Sequence, residues 1–337
     1  MGKSLYNEYE RLLSSGSWKY YPLKETLGIK MFSDRDSMIS FFKHYLGKGE
    51  KANMPIIDFI DNLSMDRLQH TLSCFLLGVL FYQRSGVIAS GINDELNRIP
   101  INNPETVDER FYYLWMLISI FHDFGYAIEN KDVALNKIEL EKLIANLRNR
   151  PKTIPSIYTK KLLKNYAKYH VCRFGSDDHG ICGGIKLYAE LCELRKEKEN
   201  HLTTECYWGE DLIPSYALAA WTIACHNIWM IEDCEKNIDT ITCYKHLDLS
   251  KLIYKTQSRI IKGAPCLFLL CLVDSIDPIK IFKDLDILNH ITFDFSIAGC
   301  IDIHTDGLCQ PKKNQYLYII KGLYDWLTDV NDTTITL

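Results

Sequence analysis

Five points in the chain set histidine or aspartate inside strongly apolar sequence. They are His70 in RLQHTLSCFLL, His122–Asp123 in LISIFHDFGYA, His179 in GSDDHGICGG, His226 in AAWTIACHNIW and Asp274 in LFLLCLVDSIDP. Burying that many ionisable groups is costly unless they pair or bind metal. Imidazole nitrogen and carboxylate oxygen are together the donor mixture that divalent transition metals accept. A lone histidine on an apolar helix face more often needs only a hydrogen-bond partner. Five such points in one chain favour a shared site. On a helix, His122 and Asp123 would point about 100° apart, so the imidazole could bind one ion while the carboxylate bridges to a second.

Two of these donors have rivals. Asp277 competes with Asp274, which is preferred because it directly follows the apolar run. His170, in the more basic KNYAKYHVCRFG, competes with His179. Asp177 and Asp178 either orient His179 or cap the helix that follows. From Arg148 to Ser176 there are eight basic residues and no acidic one. Either this is a solvated helix face or it is a lid that attracts an anion. Lys164, Lys168 and Arg173 are its members nearest His179, and a guanidinium suits phosphate oxygens well.

Helices must position these groups. Ser64 reads as an N-cap, followed by Leu68, Leu72, Phe75, Leu76, Val79 and Leu80 at three- and four-residue spacing. A Gly/Asn/Pro-rich loop is expected over 84–104, then a buried helix from 106 to 122. Further helices are expected at 132–148, 156–170, 178–198, 210–230 and 263–274. After Asp277-Pro278, ITFDFSI and CIDIHT alternate like strands, Asp306-Gly307 reads as a turn, and YLYIIKGLYDWL is helical again. The expected fold is mainly α with a small C-terminal αβ appendage. It divides into a helical extension (1–60), a metal-binding helical domain (61–290) and the appendage (291–337).

Composition sets the background. The 337 residues are 47% hydrophobic and 24% charged, with a net charge of −4, as in a globular protein. That charge gives no general attraction to nucleic acid or anionic membrane. The 12 cysteines form no CxxC pair. Several, such as Cys74, Cys266 and Cys271, sit in apolar runs where a thiol packs as a small hydrophobe. The first residues lack a signal-peptide pattern, and no apolar run is long enough to span a bilayer. A cytoplasmic setting with free thiols is expected.

The order His…HisAsp…His…His…Asp resembles the HD superfamily of metal-dependent phosphohydrolases over roughly residues 60–280. HisAsp followed by PheGly, and an AspHisGly opening a Gly-rich helix start, add to the resemblance. The two middle histidines make it most similar to the two-metal branch. The resemblance implies an HD-type helical bundle. It also implies two divalent ions (Mn, Fe, Co, Mg or Zn), one on His70, His122, Asp123 and Asp274, the other on Asp123, His179 and His226. Its implied reaction is hydrolysis of a phosphodiester or phosphomonoester in a nucleotide or other small phosphorylated metabolite. Asp123 would bridge the ions, with His170 and Asp178 as candidate proton donors and Arg173, Lys168 and Lys164 as phosphate ligands. Two features depart from family patterns. Asn227 follows His226, without the paired histidines and GlyTyrPro signature of the HD-GYP branch. Gly125 stands where many HD enzymes have lysine. Two alternatives share the architecture: a di-iron oxygenase of the myo-inositol oxygenase type, and a nucleotide-binding module without turnover.

Overall fold

Apolar spacing at three and four residues turns into a helical core that carries most of the donors. The computed structural model describes residues 2–15, 28–46, 59–99, 107–126, 160–174, 178–200, 213–227, 247, 264–323, 329–331 and 333–337. Helices α1 (Leu5–Ser15) and α2 (Arg35–Leu46) precede α3 (Met65–Arg84). Ser64 starts α3 as expected, its side chain accepting from the Arg67 N–H at 3.4 Å. That satisfies one orphan donor of the first turn.

The expected loop over 84–104 is largely a helix, α4 (Gly86–Asn97). Ser85 caps it by accepting from the Ile88 N–H, and Ile88, Ile92 and Leu96 bury one face at four-residue spacing. The glycines and asparagines fall on its other faces, where their weak helix propensity is overridden by that buried stripe. Helix α5 (Val107–Phe121) lies in the core, with Phe111, Trp115, Leu117, Ile118 and Phe121 fully buried. Trp115 Nε1–H donates to the Phe75 carbonyl at 3.0 Å and ties α5 to α3.

Helices α6 (Lys160–Phe174), α7 (His179–Asn200) and α8 (Ile213–Cys225) follow. Helices α7 and α8 approach closely at Gly184, where a Cβ would lie 2.3 Å from the Ala220 carbonyl oxygen. Only glycine permits that approach, which sets the start of α7 beside the end of α8. Helix α9 (Pro265–Ile276) is buried along nearly its whole length, and the short α10 (Pro278–Phe282) turns away from its end. The helix expected at 132–148 lies outside the described residues.

The C-terminal part contains strands β1 (Thr292–Asp294) and β2 (Cys300–His304), helix α11 (Gln310–Lys321), and strands β3 (Asp329–Asn331) and β4 (Thr334–Thr336). All pairings are antiparallel, in the order β1-β2-β4-β3, with Phe293 opposite Ile303 and Ile301 opposite Ile335. The chain is therefore mainly α with a small C-terminal αβ part, as expected. Tyr316 donates to the Ile276 carbonyl at 2.8 Å and fastens α11 to the end of α9. Buried side chains from α1 through β4 join one hydrophobic cluster. Among the described residues no single helix is long and apolar enough to cross a membrane.

Candidate metal centre

The structure brings together all six residues proposed as metal ligands, in two adjoining groups: His70, His122 and Asp274, with Cys74, and Asp123, His179 and His226. In the first group one Asp274 oxygen faces His70 Nε2 at 3.1 Å and His122 Nε2 at 3.5 Å. The two Nε2 atoms are 3.2 Å apart. Donors about 2.0–2.2 Å from a common ion would stand about 3 to 3.6 Å from one another, so these separations fit one divalent ion.

Hydrogen bonds behind the rings set their tautomers. His70 Nδ1–H donates to Asp277 at 2.7 Å. Asp277 also accepts from Ser73 Oγ–H at 2.5 Å and caps α10 through the Ile279 and Lys280 amides. Asp277 thus has its oxygens taken up by His70 Nδ1, Ser73 and two amides, while Asp274 faces His70 Nε2. Asp277 is the carboxylate that aims His70, an arrangement known to orient metal-bound histidine. His122 Nδ1–H donates to the Ser119 carbonyl at 2.8 Å, and His226 Nδ1–H to the Ile223 carbonyl at 2.6 Å. Both histidines follow a helix C-terminus, where the last carbonyls lack amide partners. Each binds the carbonyl three residues before it, which turns Nε2 into the site.

His122 and Asp123 thus lie just beyond α5, in a turn, and not on the helix itself. The His122 amide still bonds to Ile118, but Phe124 and Tyr126 bond only three residues back. Asp123 sits between the groups: Oδ1 is 3.5 Å from His122 Nε2 and 3.8 Å from His179 Nε2, and Oδ2 is 4.0 Å from His70 Nε2. The turn packs tightly on α7. A Cβ on Gly125 would lie 1.8 Å from the His179 carbonyl oxygen.

Electrostatics leave His179 and His226 in the neutral form that a metal requires. Burial, then His226, push His179 down to about 3, and burial also lowers His226, so both rings are neutral. Against the penalty of burial, Lys280 and the two imidazoles hold Asp274 well below the usual carboxylate range. His122 and His70 do the same for Asp123. Burial opposes charge on His70, but Cys74, Asp274 and Asp277 hold its pKa well above normal. Burial pushes the Cys74 thiol up to about 12.

The donors open into a cavity of about 480 Å³, lined by His70, Asp123, His179 and Asp274 and by Arg67, Tyr126, Asn227, Lys280 and Lys283, among others. Tyr126 stacks on His179 at 3.8 Å, and the Arg67 guanidinium lies 4.2 Å from the centre of the Tyr126 ring. Arg67 also pairs with Asp123 at 3.1 Å.

The expected proton donors and phosphate ligands are placed differently. His170 and Asp178 face each other at 3.8 Å but do not line this cavity. Asp178 accepts from the Ile181 amide at 2.9 Å at the start of α7, and from Asn227 at 3.3 Å. Of the alternatives drawn from sequence it is the cap, with a further bond to Asn227, which in turn contacts His179. Lys164 and Lys168 lie on α6, Lys168 exposed, and neither lines the cavity. The backbone of Arg173 is in α6, while its side chain, Asp177 and the basic residues 148–159 lie outside the described residues.

Several site residues went unread in sequence. Asn227 donates to His179 Nε2 at 2.9 Å. Cys74 Sγ is 3.6 Å from His70 Nδ1. Its only signal was a place four residues after His70, on the same helix face. Arg67, Lys280 and Lys283 lie at helix ends, where charged residues are common.

No family model, curated protein or solved structure matches the chain.

Proposed function

We propose that the protein is a metal-dependent phosphohydrolase of the HD type, acting on a nucleotide or another small phosphorylated metabolite. One observation carries the metal part of this reading. His70 and His122 turn their Nε2 atoms on the same Asp274 oxygen, while both Nδ1–H groups are used elsewhere. Facing lone pairs 3.2 Å apart repel unless a cation lies between them. In the absence of an ion, the raised His70 pKa supplies a proton for that purpose.

Divalent ions held here would activate water near neutral pH and neutralise charge on phosphoryl oxygens. His70, His122 and Asp274 would hold one ion, and His179 and His226 the other, with Asp123 reaching both groups. Asp277 keeps His70 in the Nδ1–H tautomer. The Ser119 and Ile223 carbonyls do the same for His122 and His226. Tyr126 braces His179 from one side, and Asn227 contacts it from another. With divalent ions bound at Asp123 and Asp274, the cations around the cavity would favour an anionic substrate over the neutral polyol of a di-iron oxygenase.

The test is a screen of phosphorylated metabolites with Mn²⁺, Co²⁺, Fe²⁺ and Mg²⁺ supplied separately. Phosphate or nucleotide release with at least one metal is expected. Oxygen uptake coupled to product, dependent on Fe²⁺ and ascorbate, would overturn the reading.

A further inference from the structure

Each cation of the cavity is matched by one carboxylate. Lys280 pairs with Asp274 at 2.6 Å, Lys283 with Asp66 at 3.3 Å, and Arg67 with Asp123 at 3.1 Å. The lining is therefore balanced as it stands. Any divalent ion on Asp123 and Asp274 tips it positive and leaves the ammonium groups in need of a new anion. The Lys283–Asp66 pair is largely exposed, with side-chain exposures of 69% and 58%, so it holds Lys283 only weakly.

Backbone geometry gives an independent reason to single out Lys283. Among the described residues it is the only non-glycine with positive φ, at φ 50° and ψ 36°. It closes α10, at a left-handed position where glycine is the usual occupant. A residue with a Cβ is strained there, and such strain concentrates at functional sites. The chain keeps a lysine at this strained position on the cavity wall. The turn after His122–Asp123 can supply no comparable cation, because a side chain at Gly125 would strike the His179 backbone.

We propose that Lys280 and Lys283 form a clamp for a phosphoryl dianion beside the metal donors. The ligand class is then a phosphate monoester or free phosphate, and not a diester. This inference rests on the metal-centre reading above. Lys280 comes from α10 and Lys283 from its cap, so one short element presents both charges to the cavity.

Calorimetry on the full chain loaded with Mn²⁺ tests this with three probes: inorganic phosphate, adenosine monophosphate and dimethyl phosphate. At least one of the first two should bind at least about tenfold more tightly than the singly charged dimethyl phosphate, since charge-assisted bonds are worth that much. Tighter binding of adenosine monophosphate than of phosphate would identify an ester ligand, and equal binding free phosphate. Lys283→Gly should weaken binding about tenfold while keeping its Mn²⁺ and melting at a higher temperature, because glycine relieves the left-handed strain. Lys280→Met should weaken it similarly, and Lys283→Arg should retain most affinity. Wild-type affinity in both Lys283→Gly and Lys280→Met overturns the clamp, as does dimethyl phosphate binding as tightly as phosphate. A Mn²⁺-loaded wild type that binds neither dianion also overturns it, leaving the hydrolase reading to the turnover screen. Failure of the wild type to bind Mn²⁺ overturns both.

Discussion

Side chains of the His70–His122–Asp274 group are 6%, 0% and 4% exposed; in the second group His226 is just as buried, at 1%, but His179 and Asp123 are 12% and 13% exposed. The deep group is supported from behind: Asp277 and Ser73 fix His70, the Ser119 carbonyl fixes His122, and Lys280 pairs with Asp274. Its donor edges already have the lengths that a bound ion would need. In the open group the His179–Asp123 edge is 3.8 Å, and Asn227 occupies one His179 nitrogen. The difference is that the first group already has separations suited to an ion and the second does not. Preorganised donors bind more tightly because less ordering is left to be done.

The strongest way to break the comparison is to remove the residue shared by both halves. Asp123→Ala should lower turnover by at least about a thousandfold, since loss of the metal-borne charge stabilisation costs several kcal/mol. Steady-state kinetics with metal analysis of the same preparation will check this. Intact activity and metal content would show that the two groups do not share Asp123.

Next comes a support of the deep half. Glu95 is buried and accepts from the Cys266 amide at the start of α9, the helix that delivers Asp274. Burial raises its pKa from 4.5 to about 7. A group raised in this way contributes stability below its unfolded value that is lost as pH climbs through the folded one. Wild type should therefore lose roughly 3 kcal/mol between pH of about 4.5 and 7 relative to Glu95→Gln. Urea unfolding of both proteins across that range decides it, and parallel curves would refute the assignment.

The open half depends on close backbone packing at Gly125. Gly125→Ala should destabilise by about 2–3 kcal/mol, because the obstacle is backbone and cannot swing away. Gly86→Ala has nothing within 4 Å of the new Cβ and should be neutral or slightly stabilising. Denaturant midpoints of the pair measure the contrast.

The smallest expected effect is also the most selective. Asp277→Asn keeps the shape of the His70 partner but removes its charge. Metal affinity should fall about 10- to 100-fold, as when other carboxylate–histidine supports are altered. Competition with a chromophoric chelator reads this directly, and an unchanged affinity would mean that the deep half is not held from behind.

Much of the site was legible because a charged or titratable residue in an apolar run is unusual. His70, His122, His226 and Asp274 each stand out against their neighbours for that reason. Supporting polar groups carry no such contrast. Asp277, Asn227, Lys280 and Lys283 lie at helix ends, where capping and charge pairing explain most polar residues. The basic run before His179 drew attention by charge alone, but Lys164 and Lys168 do not line the cavity. Helix α4 was missed because its glycines and asparagines masked a buried face of Ile88, Ile92 and Leu96.

Local sequence alone determined the helical character, the Ser64 cap, the first two C-terminal strands and the six residues that the structure gathers into two groups. Each of these follows from periodicity, capping or apolar context within a few residues. Only the tertiary structure decided how the donors divide into a deep and an open group, that Asp277 bonds His70 Nδ1 while Asp274 faces Nε2, and which lysines border the cavity. Those outcomes depend on where one helix stops against another: α5 at Phe121, α8 at Cys225 and α9 at Ile276. A helix end aims its last side chains through nearby carbonyls and turn geometry. Where that aim meets another chain segment is a matter of packing, which no local pattern encodes.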